Sequence, residues 1–259
     1  MLAGFETRRI ETADGVRIHV QTAGDGPPVL LLHGFPQSLL MWRKVAPALA
    51  TEHRVVALDL RGYGLSDRPP TTPDHAPYAF RAMARDAVDV LQALGIDRVA
   101  VVGHDRGGRV AHRLALDHPE RVERVAVLDI MPTLTMYETA DRAFAHAYWH
   151  WFFLPLAELP EALLGAAPEA FMRFTLGDVV ASGAIEEEAF AAYLRAFAAP
   201  GAIRAMCEDY RAAATIDLEH DRADLGRRLP MPLLALWGSE NPVWEGRDVL
   251  AAWRERAAG

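Results

Sequence analysis

The stretch GHDRGG at 103–108 decides the fold of this chain of 259 residues. It follows VAVVG (99–103), an apolar run typical of a buried strand, and opens an amphipathic segment at 107–117 that predicts a helix. A strand-to-helix turn of the form Gly-x-nucleophile-x-Gly is a nucleophile elbow, which presents one side chain at the edge of a parallel sheet. The flanking glycines let the neighbouring backbone pass without a clash. The pattern therefore predicts an α/β fold with Asp105 at the reactive position.

Strand and helix patterns alternate on both sides of this elbow. The region at 8–24 (RRIETADGVRIHVQTAG) predicts a hairpin that turns at Asp14-Gly15. Helical spacing of apolar residues predicts helices at 39–50 and 78–94. Near-continuous apolar runs are typical of strands buried on both faces of a parallel sheet. Such runs occur at PPVLLLHG (27–34), RVVALDL (54–60), RVAVLDI (124–130) and MPLLALWG (231–238).

The strand pattern is interrupted after Pro132 by Ala-rich helical segments that contain many aromatic residues. We therefore predict that 1–133 is the first part of an α/β core, that 134–215 is a helical cap, and that 216–259 is the second part of the core. The final stretch DVLAAWRERAAG (248–259) indicates a helix with no strand after it. We accordingly expect the last strand and helix of the core to be missing from this chain.

Composition excludes several classes of protein. Hydrophobic residues make up 51% and charged residues 24% of the chain, which is typical of a globular protein. The net charge of −8 argues against nucleic acid or an anionic membrane as the main partner. One cysteine, Cys207, allows neither an internal disulfide nor a multi-thiolate metal site. With no signal peptide and no long apolar run, we expect a cytoplasmic protein that uses neither metal nor cofactor.

Asp105 changes the chemistry expected of the elbow, where serine is the usual occupant. A carboxylate is anionic at neutral pH and can displace a leaving group from an sp3 carbon, forming an ester with the enzyme. The helix that begins near Arg106 would then present N–H groups to the oxyanion formed when that ester is hydrolysed. The alternative is an aspartate that merely caps the helix between two glycines.

Arg106 and Arg109 follow Asp105 one helical turn apart, so both can face the same pocket. Two guanidinium groups that converge on a small volume repel each other unless an anion lies between them. A carboxylate suits both, because arginine binds it through paired charge-assisted hydrogen bonds. The alternative is a pair of solvated surface arginines, in a chain with 26 Arg and one Lys. Arg113, one turn further on, is expected to support the structure.

Several motifs together resemble the α/β-hydrolase superfamily, in its dehalogenase and epoxide-hydrolase branch. They are HGFPQ (33–37), DLRGYGLSDRP (59–69) and GHDRGGRVAHRLALDHPERV (103–122). The segments YWHWFF (148–153) and CEDYRAA (207–213) are most similar to the fluoroacetate (haloacetate) dehalogenases. The resemblance implies an α/β-hydrolase core, a mostly parallel sheet flanked by helices, with a helical cap, and it implies a homodimer.

The resemblance also implies roles for individual residues. His150, Trp151 and Tyr210 would be the halide donors, and Arg106 and Arg109 would clamp the substrate carboxylate. An imidazole N–H, an indole N–H and a phenol O–H can each hydrogen-bond a departing halide. The alternative for YWHWFF is a cap helix that buries its aromatic rings against the core.

HGFPQ follows the third strand, where this superfamily has its oxyanion loop, so the backbone N–H groups of Phe35 and Arg106 would bind the oxyanion. His33 and His104 are expected to be structural, with His104 pointing away from Asp105.

The ester must be cleaved by water, which needs a base, normally a histidine oriented by a carboxylate. Asp129, after the sixth strand, is the better candidate for that carboxylate, because Asn241 stands at the other family position. His220 lies on the wrong segment, and no histidine follows it. The family pattern would put the base beyond residue 259, so we expect a truncated chain rather than a protein that has lost turnover.

The leading hypothesis is a hydrolytic dehalogenase that converts small 2-haloacids, such as haloacetate and possibly fluoroacetate, to 2-hydroxy acids and halide through an aspartyl ester. Its only expected partners are the haloacid and a second copy of the chain. The first alternative is an epoxide hydrolase, since Tyr148 and Tyr193 accompany Tyr210, although a neutral epoxide would leave two arginines without a counterion. The second alternative is a hydrolase-like protein that binds a small acid without turnover.

Overall fold

Seven strands form one sheet in the computed structural model, which describes residues 1–258 and all of their side chains except that of Pro242. The order across the sheet is β1-β2-β4-β3-β5-β6-β7. The first three strands in that order pair antiparallel and the others pair parallel, so the predicted mostly parallel sheet is confirmed. The strands are β1 (Glu6–Glu11), β2 (Arg17–Ala23), β3 (Pro28–Leu32), β4 (Arg54–Leu58), β5 (Val99–His104), β6 (Val122–Leu128) and β7 (Leu233–Leu236).

The predicted helices form in the core. The segment expected to be one helix at 39–50 is a 3-10 helix at Leu39–Lys44 followed by α1 (Ala46–Leu49). The next two are α2 (Phe80–Ala93) and α3 (Arg106–Asp117), and α3 packs against β5 and β6. After β7 comes the last helix, α12 (Val249–Arg254).

Between β6 and β7 the described chain contains helices and no strand. This agrees with the helical pattern expected for 134–215, while the division of the chain into a cap and a two-part core stays a prediction. The helices are α4 (Thr133–Glu138), α5 (Arg142–Ala147), α6 (His150–Phe153), α7 (Leu159–Ala166), α8 (Pro168–Ala181), α9 (Glu187–Phe197), α10 (Ala202–Ala214) and α11 (Ile216–Ala223).

The core lies on both faces of the central strands. Leu30, Leu31 and Leu32 of β3 are fully buried, as expected for a strand covered on both sides. Helix α3 lies so close to the end of β3 that Gly107 has no room for a side chain. A Cβ atom there would lie 2.4 Å from the carbonyl oxygens of Leu32 and His33. None of the helices within residues 1–258 has the length and apolar character needed to cross a bilayer. The expected homodimer stays a prediction.

Candidate active site

The turn between β5 and α3 holds Asp105 in a conformation that L-residues rarely adopt, with φ 48° and ψ −116°. The turn is tight, since a Cβ atom on Gly103 would lie 2.3 Å from the carbonyl oxygen of Gly107. The N–H groups of Gly108 and Arg109 donate to the backbone carbonyl of Asp105 at 3.1 and 3.2 Å, which starts the helix directly after the turn. Such strain persists at functional sites because the surrounding structure enforces it.

The loop after β3 binds the Asp105 carboxylate. The backbone N–H of Phe35 donates to Asp105 Oδ1 over 2.8 Å. Gly34 makes this approach possible, because a Cβ atom there would lie 2.5 Å from Cβ of Asp105. Among residues 1–258 this is the one hydrogen bond to the carboxylate, which leaves Oδ2 free to react. His33 has the expected structural role: its Nε2 lies 3.0 Å from the N–H of Leu60 and its Nδ1 lies 3.0 Å from the Gly34 carbonyl.

Asp105 opens onto a cavity of about 360 Å³ between the carboxyl edge of the sheet and the inserted helices. The cavity brings together residues from six separate parts of the chain. His104 contributes to its wall too, although the elbow geometry predicts a side chain directed away from Asp105. The residues that line the cavity include Phe35, His104, Asp105, Asp129, Tyr148, His150 and Tyr210.

Arg106 is fully buried against the ring of Tyr210, which lines this cavity. Its Nε donates to Asp209 Oδ2 at 2.9 Å, and its Nη2 donates to Asp209 Oδ1 and, at 2.8 Å, to the Asp209 carbonyl. The rings of Phe80 and Tyr210 pack against the guanidinium, with centroids 4.6 and 4.3 Å from Cζ. Although burial opposes it, the Asp209 carboxylate raises the pKa of Arg106 well above its usual value.

Arg109 is also buried but has neutral partners. Its Nη1 donates to the Met131 carbonyl and to Thr133 Oγ1, both at 3.0 Å, and its Cζ lies 4.6 Å from the ring centroid of Trp151. Burial lowers the pKa of Arg109, because desolvation outweighs the attraction of Asp105. Both arginines are therefore buried on the helix that follows Asp105, and only Arg106 has a carboxylate partner within residues 1–258.

Four buried donors, on side chains that pack against the Tyr210 and Trp151 rings, have no hydrogen-bond partner within residues 1–258: Arg106 Nη1, Arg109 Nε, Trp151 Nε1 and Tyr210 Oη. Buried polar groups in native proteins are nearly always paired, and each unpaired one costs about 1–3 kcal/mol. A cluster of unpaired donors that includes Arg109, a cation without a carboxylate partner, is therefore complementary to an anion. Burial and the nearby Asp105 charge raise the pKa of Tyr210 well above its usual value, which keeps its hydroxyl protonated.

The three expected halide donors adjoin one another. The His150 ring stacks on Phe35 at a centroid distance of 5.8 Å and lies 5.7 Å from the Tyr210 ring, which in turn lies 6.5 Å from Trp151. Burial lowers the pKa of His150 to about 4, so the imidazole is neutral at pH 7 and has one N–H to donate. Tyr137, absent from the sequence prediction, has a buried unpaired hydroxyl and packs 5.1 Å from Trp151.

Asp129 follows β6 and lines the same cavity, as expected. Its carboxylate accepts hydrogen bonds from Trp244 Nε1 at 3.0 Å, the Gly238 N–H at 3.3 Å and Asn241 Nδ2 at 3.4 Å. No histidine within residues 1–258 hydrogen-bonds to this carboxylate, and His220 lies instead near Asp217. The histidine expected after residue 259 falls outside the described residues.

Sequence reasoning missed the partner of Arg106. Asp209 stands beside Tyr210 in CEDYRAA, and this neighbour could have marked it as a candidate site residue. Its pairing with Arg106, however, depends on how α10 packs on α3. The donors to Asp129 from Trp244 and Gly238 were missed for the same reason. Within residues 1–258 no group of three His, Cys, Asp or Glu side chains is arranged to hold a metal ion.

The strained elbow, the parallel sheet and the inserted helices define an α/β hydrolase, and the chain belongs to the alpha/beta hydrolase fold family, whose model matches residues 27–257. Within it, the chain belongs to the fluoroacetate (haloacetate) dehalogenases. It is 48% identical over 261 residues to a fluoroacetate dehalogenase of Burkholderia sp, a match that covers 100% of this chain and 86% of that protein.

Other relatives carry different descriptions. The chain is 36% identical over 249 residues to a soluble epoxide hydrolase of Corynebacterium sp. (strain C12), covering 94% of this chain and 84% of that protein. A crystal structure of a protein from Nostoc sp PCC 7120, described as an α/β hydrolase, superimposes with a TM-score of 0.96 at 52% identity and covers 99% of this chain and 89% of that chain. The relatives of this chain are thus described both as dehalogenases and as epoxide hydrolases.

Proposed function

We propose that the protein is a hydrolytic dehalogenase that acts on small 2-haloacids such as haloacetate, with Asp105 as nucleophile. The observation that carries the proposal is the cluster of four buried, unpaired donors around Tyr210, which lines the Asp105 cavity, with two of the donors on arginines. A haloacid has two groups that need donors, a carboxylate and a departing halide. The similarity to a fluoroacetate dehalogenase supports the same class of substrate.

In the first step Asp105 Oδ2 attacks the carbon that bears the halogen. A carbon–oxygen bond forms while the carbon–halogen bond breaks, and the bonding pair leaves with the halide. Oδ1 is held by the Phe35 N–H at 2.8 Å, so it becomes the carbonyl oxygen of the ester. This division of roles fixes the carboxylate for attack without a change in its position.

The unpaired N–H groups of Arg106 and Arg109 bind the substrate carboxylate in this proposal. The positive charge offsets the repulsion between that carboxylate and Asp105, which would otherwise keep two anions apart. His150, Trp151 and Tyr210 donate to the halide as its charge develops. Fluoride needs these donors most, because it is the halide that leaves least readily without stabilisation.

In the second step water attacks the ester carbonyl carbon, and the 2-hydroxy acid leaves while the Asp105 carboxylate re-forms. The Phe35 and Arg106 backbone N–H groups are assigned to the oxyanion on Oδ1. The water needs a base to accept its proton. We assign Asp129 the role of orienting that base, because its carboxylate lines the same cavity as Asp105.

The direct test is to incubate the protein with chloroacetate, quench with acid and map the peptides by mass spectrometry. We expect one equivalent of chloride and a carboxymethyl ester on Asp105, or, where the ester turns over in heavy-oxygen water, label in the Asp105 carboxylate. Asp105→Asn should give neither. Chloride release without ester or label at Asp105 would overturn the covalent mechanism.

Epoxide hydrolysis is the second candidate, because Tyr148 lines the cavity with Tyr210 and a soluble epoxide hydrolase is among the relatives. Burial raises the pKa of Tyr148 to about 12, so its hydroxyl stays protonated and could donate to an epoxide oxygen. Arg109 favours the haloacid, since a neutral epoxide leaves that buried cation without an anion. Styrene oxide offered in place of chloroacetate tests this: rapid ester formation from the epoxide alone would favour the second candidate.

A further inference from the structure

We propose that Asp209 is a positioning residue, which aims the unpaired Nη1 of Arg106 at the substrate and cancels the charge of that arginine, so that Arg109 carries the uncompensated positive charge of the site. The inference rests on the proposed function, because it assigns Arg106 to a substrate carboxylate. It adds a residue to which the sequence analysis gave no role.

Asp209 holds Arg106 through three hydrogen bonds. Two side-chain hydrogen bonds and one to the Asp209 carbonyl engage Nε and Nη2. The rings of Phe80 and Tyr210 both pack against the guanidinium, and both Arg106 and Asp209 are fully buried. The guanidinium therefore cannot rotate without breaking the pair, and Nη1 is the nitrogen that remains unpaired.

Tyr63 fixes Asp209 in turn. Its hydroxyl donates to Asp209 Oδ2 over 2.6 Å, and the same oxygen accepts from Arg106 Nε. The Tyr63 ring is fully buried and packs edge-on against His33 at a centroid distance of 5.3 Å. Hydrogen bonds thus link Tyr63, in the loop after β4, to Asp209 on α10, and Asp209 to Arg106 on α3. In the proposed mechanism Arg106 then binds the substrate carboxylate.

The charge balance differs between the two arginines. Arg106 and Asp209 form a neutral pair, whereas Arg109 is held by a carbonyl and a hydroxyl. One positive charge then faces Asp105 and the incoming substrate, which suits a monocarboxylate. Without the negative charge of Asp209, the net charge of the site becomes more positive by one, so the site should bind a dicarboxylate more readily. The side chain of Arg106 should also lose its fixed orientation.

Asp209→Asn and Asp209→Glu separate the two effects. Acetate and malonate binding are measured by calorimetry, and ester formation is measured with saturating chloroacetate. We expect Asn to tighten malonate relative to acetate by about tenfold, from one unscreened charge, and to slow ester formation by about 10- to 100-fold through misplacement. Glu keeps the charge, so it should keep the wild-type binding ratio and still slow ester formation.

Tyr63→Phe is the milder variant, because it removes one hydroxyl and leaves the ion pair. It should slow ester formation severalfold with an unchanged malonate-to-acetate ratio. The matched control is Asp86→Asn, which breaks another buried arginine–aspartate pair, with Arg61, away from the cavity. It should lower stability while both the binding ratio and the rate of the folded protein stay at wild-type values.

Wild-type rate and wild-type binding ratio in Asp209→Asn would overturn the inference. If that variant does not fold, a wild-type rate in Tyr63→Phe overturns the positioning role. If wild-type protein binds acetate but forms no ester, the proposed function fails, and the shifted malonate preference of Asp209→Asn still decides the charge role. A parallel loss of binding and rate in Asp86→Asn would mean that the Asp209 effects are those of general destabilisation, and the inference would fall.

Discussion

The backbone N–H of Phe35 donates to Oδ1 of Asp105 over 2.8 Å, and this bond distinguishes the two oxygens of the nucleophile before any substrate arrives. In the proposed mechanism the bound oxygen becomes the ester carbonyl and the other oxygen attacks the substrate. Asp105 can be held this way because Gly34 has no Cβ atom between the two segments.

Gly34→Ala should separate reactivity from folding. The new Cβ atom would lie 2.5 Å from Asp105 Cβ and 2.7 Å from its Oδ1, so the carboxylate must move off the Phe35 N–H. We expect ester formation to slow by at least about 100-fold. The control is Gly177→Ala in α8, where a Cβ atom meets nothing within 4 Å. That variant should keep its rate and gain about 0.5–1 kcal/mol in free energy of unfolding. A wild-type rate in Gly34→Ala would contradict the role of the Phe35 bond.

Arg109→Met and Arg113→Met are the same change one helical turn apart and should have opposite consequences. Arg109 has no carboxylate partner, so relief from burying its charge offsets its two lost hydrogen bonds, and stability should change by less than about 1 kcal/mol. Ester formation from chloroacetate should be lost. Arg113 pairs with Asp221 and Asp224, so its removal should cost about 3 kcal/mol and leave the rate of the folded protein intact. Urea unfolding measures the stability of the two variants, and peptide mapping measures the ester on Asp105. Haloacid reactivity that survives in Arg109→Met would refute the carboxylate clamp.

Tyr210→Phe removes a buried hydroxyl that has no partner in the described structure, so the free energy of unfolding should rise by about 1 kcal/mol. The rate should fall by about 10- to 100-fold with fluoroacetate and less with bromoacetate, because the poorer leaving group depends more on donated hydrogen bonds. Halide release from the two substrates gives the ratio. Tyr148→Phe is the comparison: an equal loss with that variant would point to paired tyrosine donors, as in the epoxide alternative.

His112 should make stability fall below neutral pH. It is 7% exposed, and burial lowers its pKa from 6.5 to about 4. The unfolded chain therefore binds a proton that the folded protein excludes. The free energy of unfolding has its full value above pH 6.5 and decreases as the pH falls towards 4. From pH 7 to pH 5 this histidine should remove about 2 kcal/mol. Urea unfolding at both pH values, with wild type and His112→Gln, measures the contribution, and equal losses in the two proteins would exclude it.

Much of the fold followed from local patterns. The apolar runs before and after 103–108 predicted β5 and its neighbours, and the Gly-x-Asp-x-Gly spacing predicted the strained turn at Asp105, because strand burial and turn geometry are encoded within a few residues. The helix expected at 39–50 was less accurate: there the chain forms a 3-10 helix and one short α-helix, separated at Val45. Periodicity does not distinguish these two helix types over so short a stretch.

The sequence by itself determined which side chains stand at the turn after β5, since a carboxylate in an elbow followed by two arginines one turn apart is a local pattern. Only the tertiary structure decided how the charges are distributed. Asp209 pairs with Arg106 across 103 residues, Tyr63 reaches Asp209 across 146, and Arg109 is left with neutral partners. Such pairings depend on which helix faces are brought together when the chain folds, and desolvation then determines which of the buried charges still needs a partner.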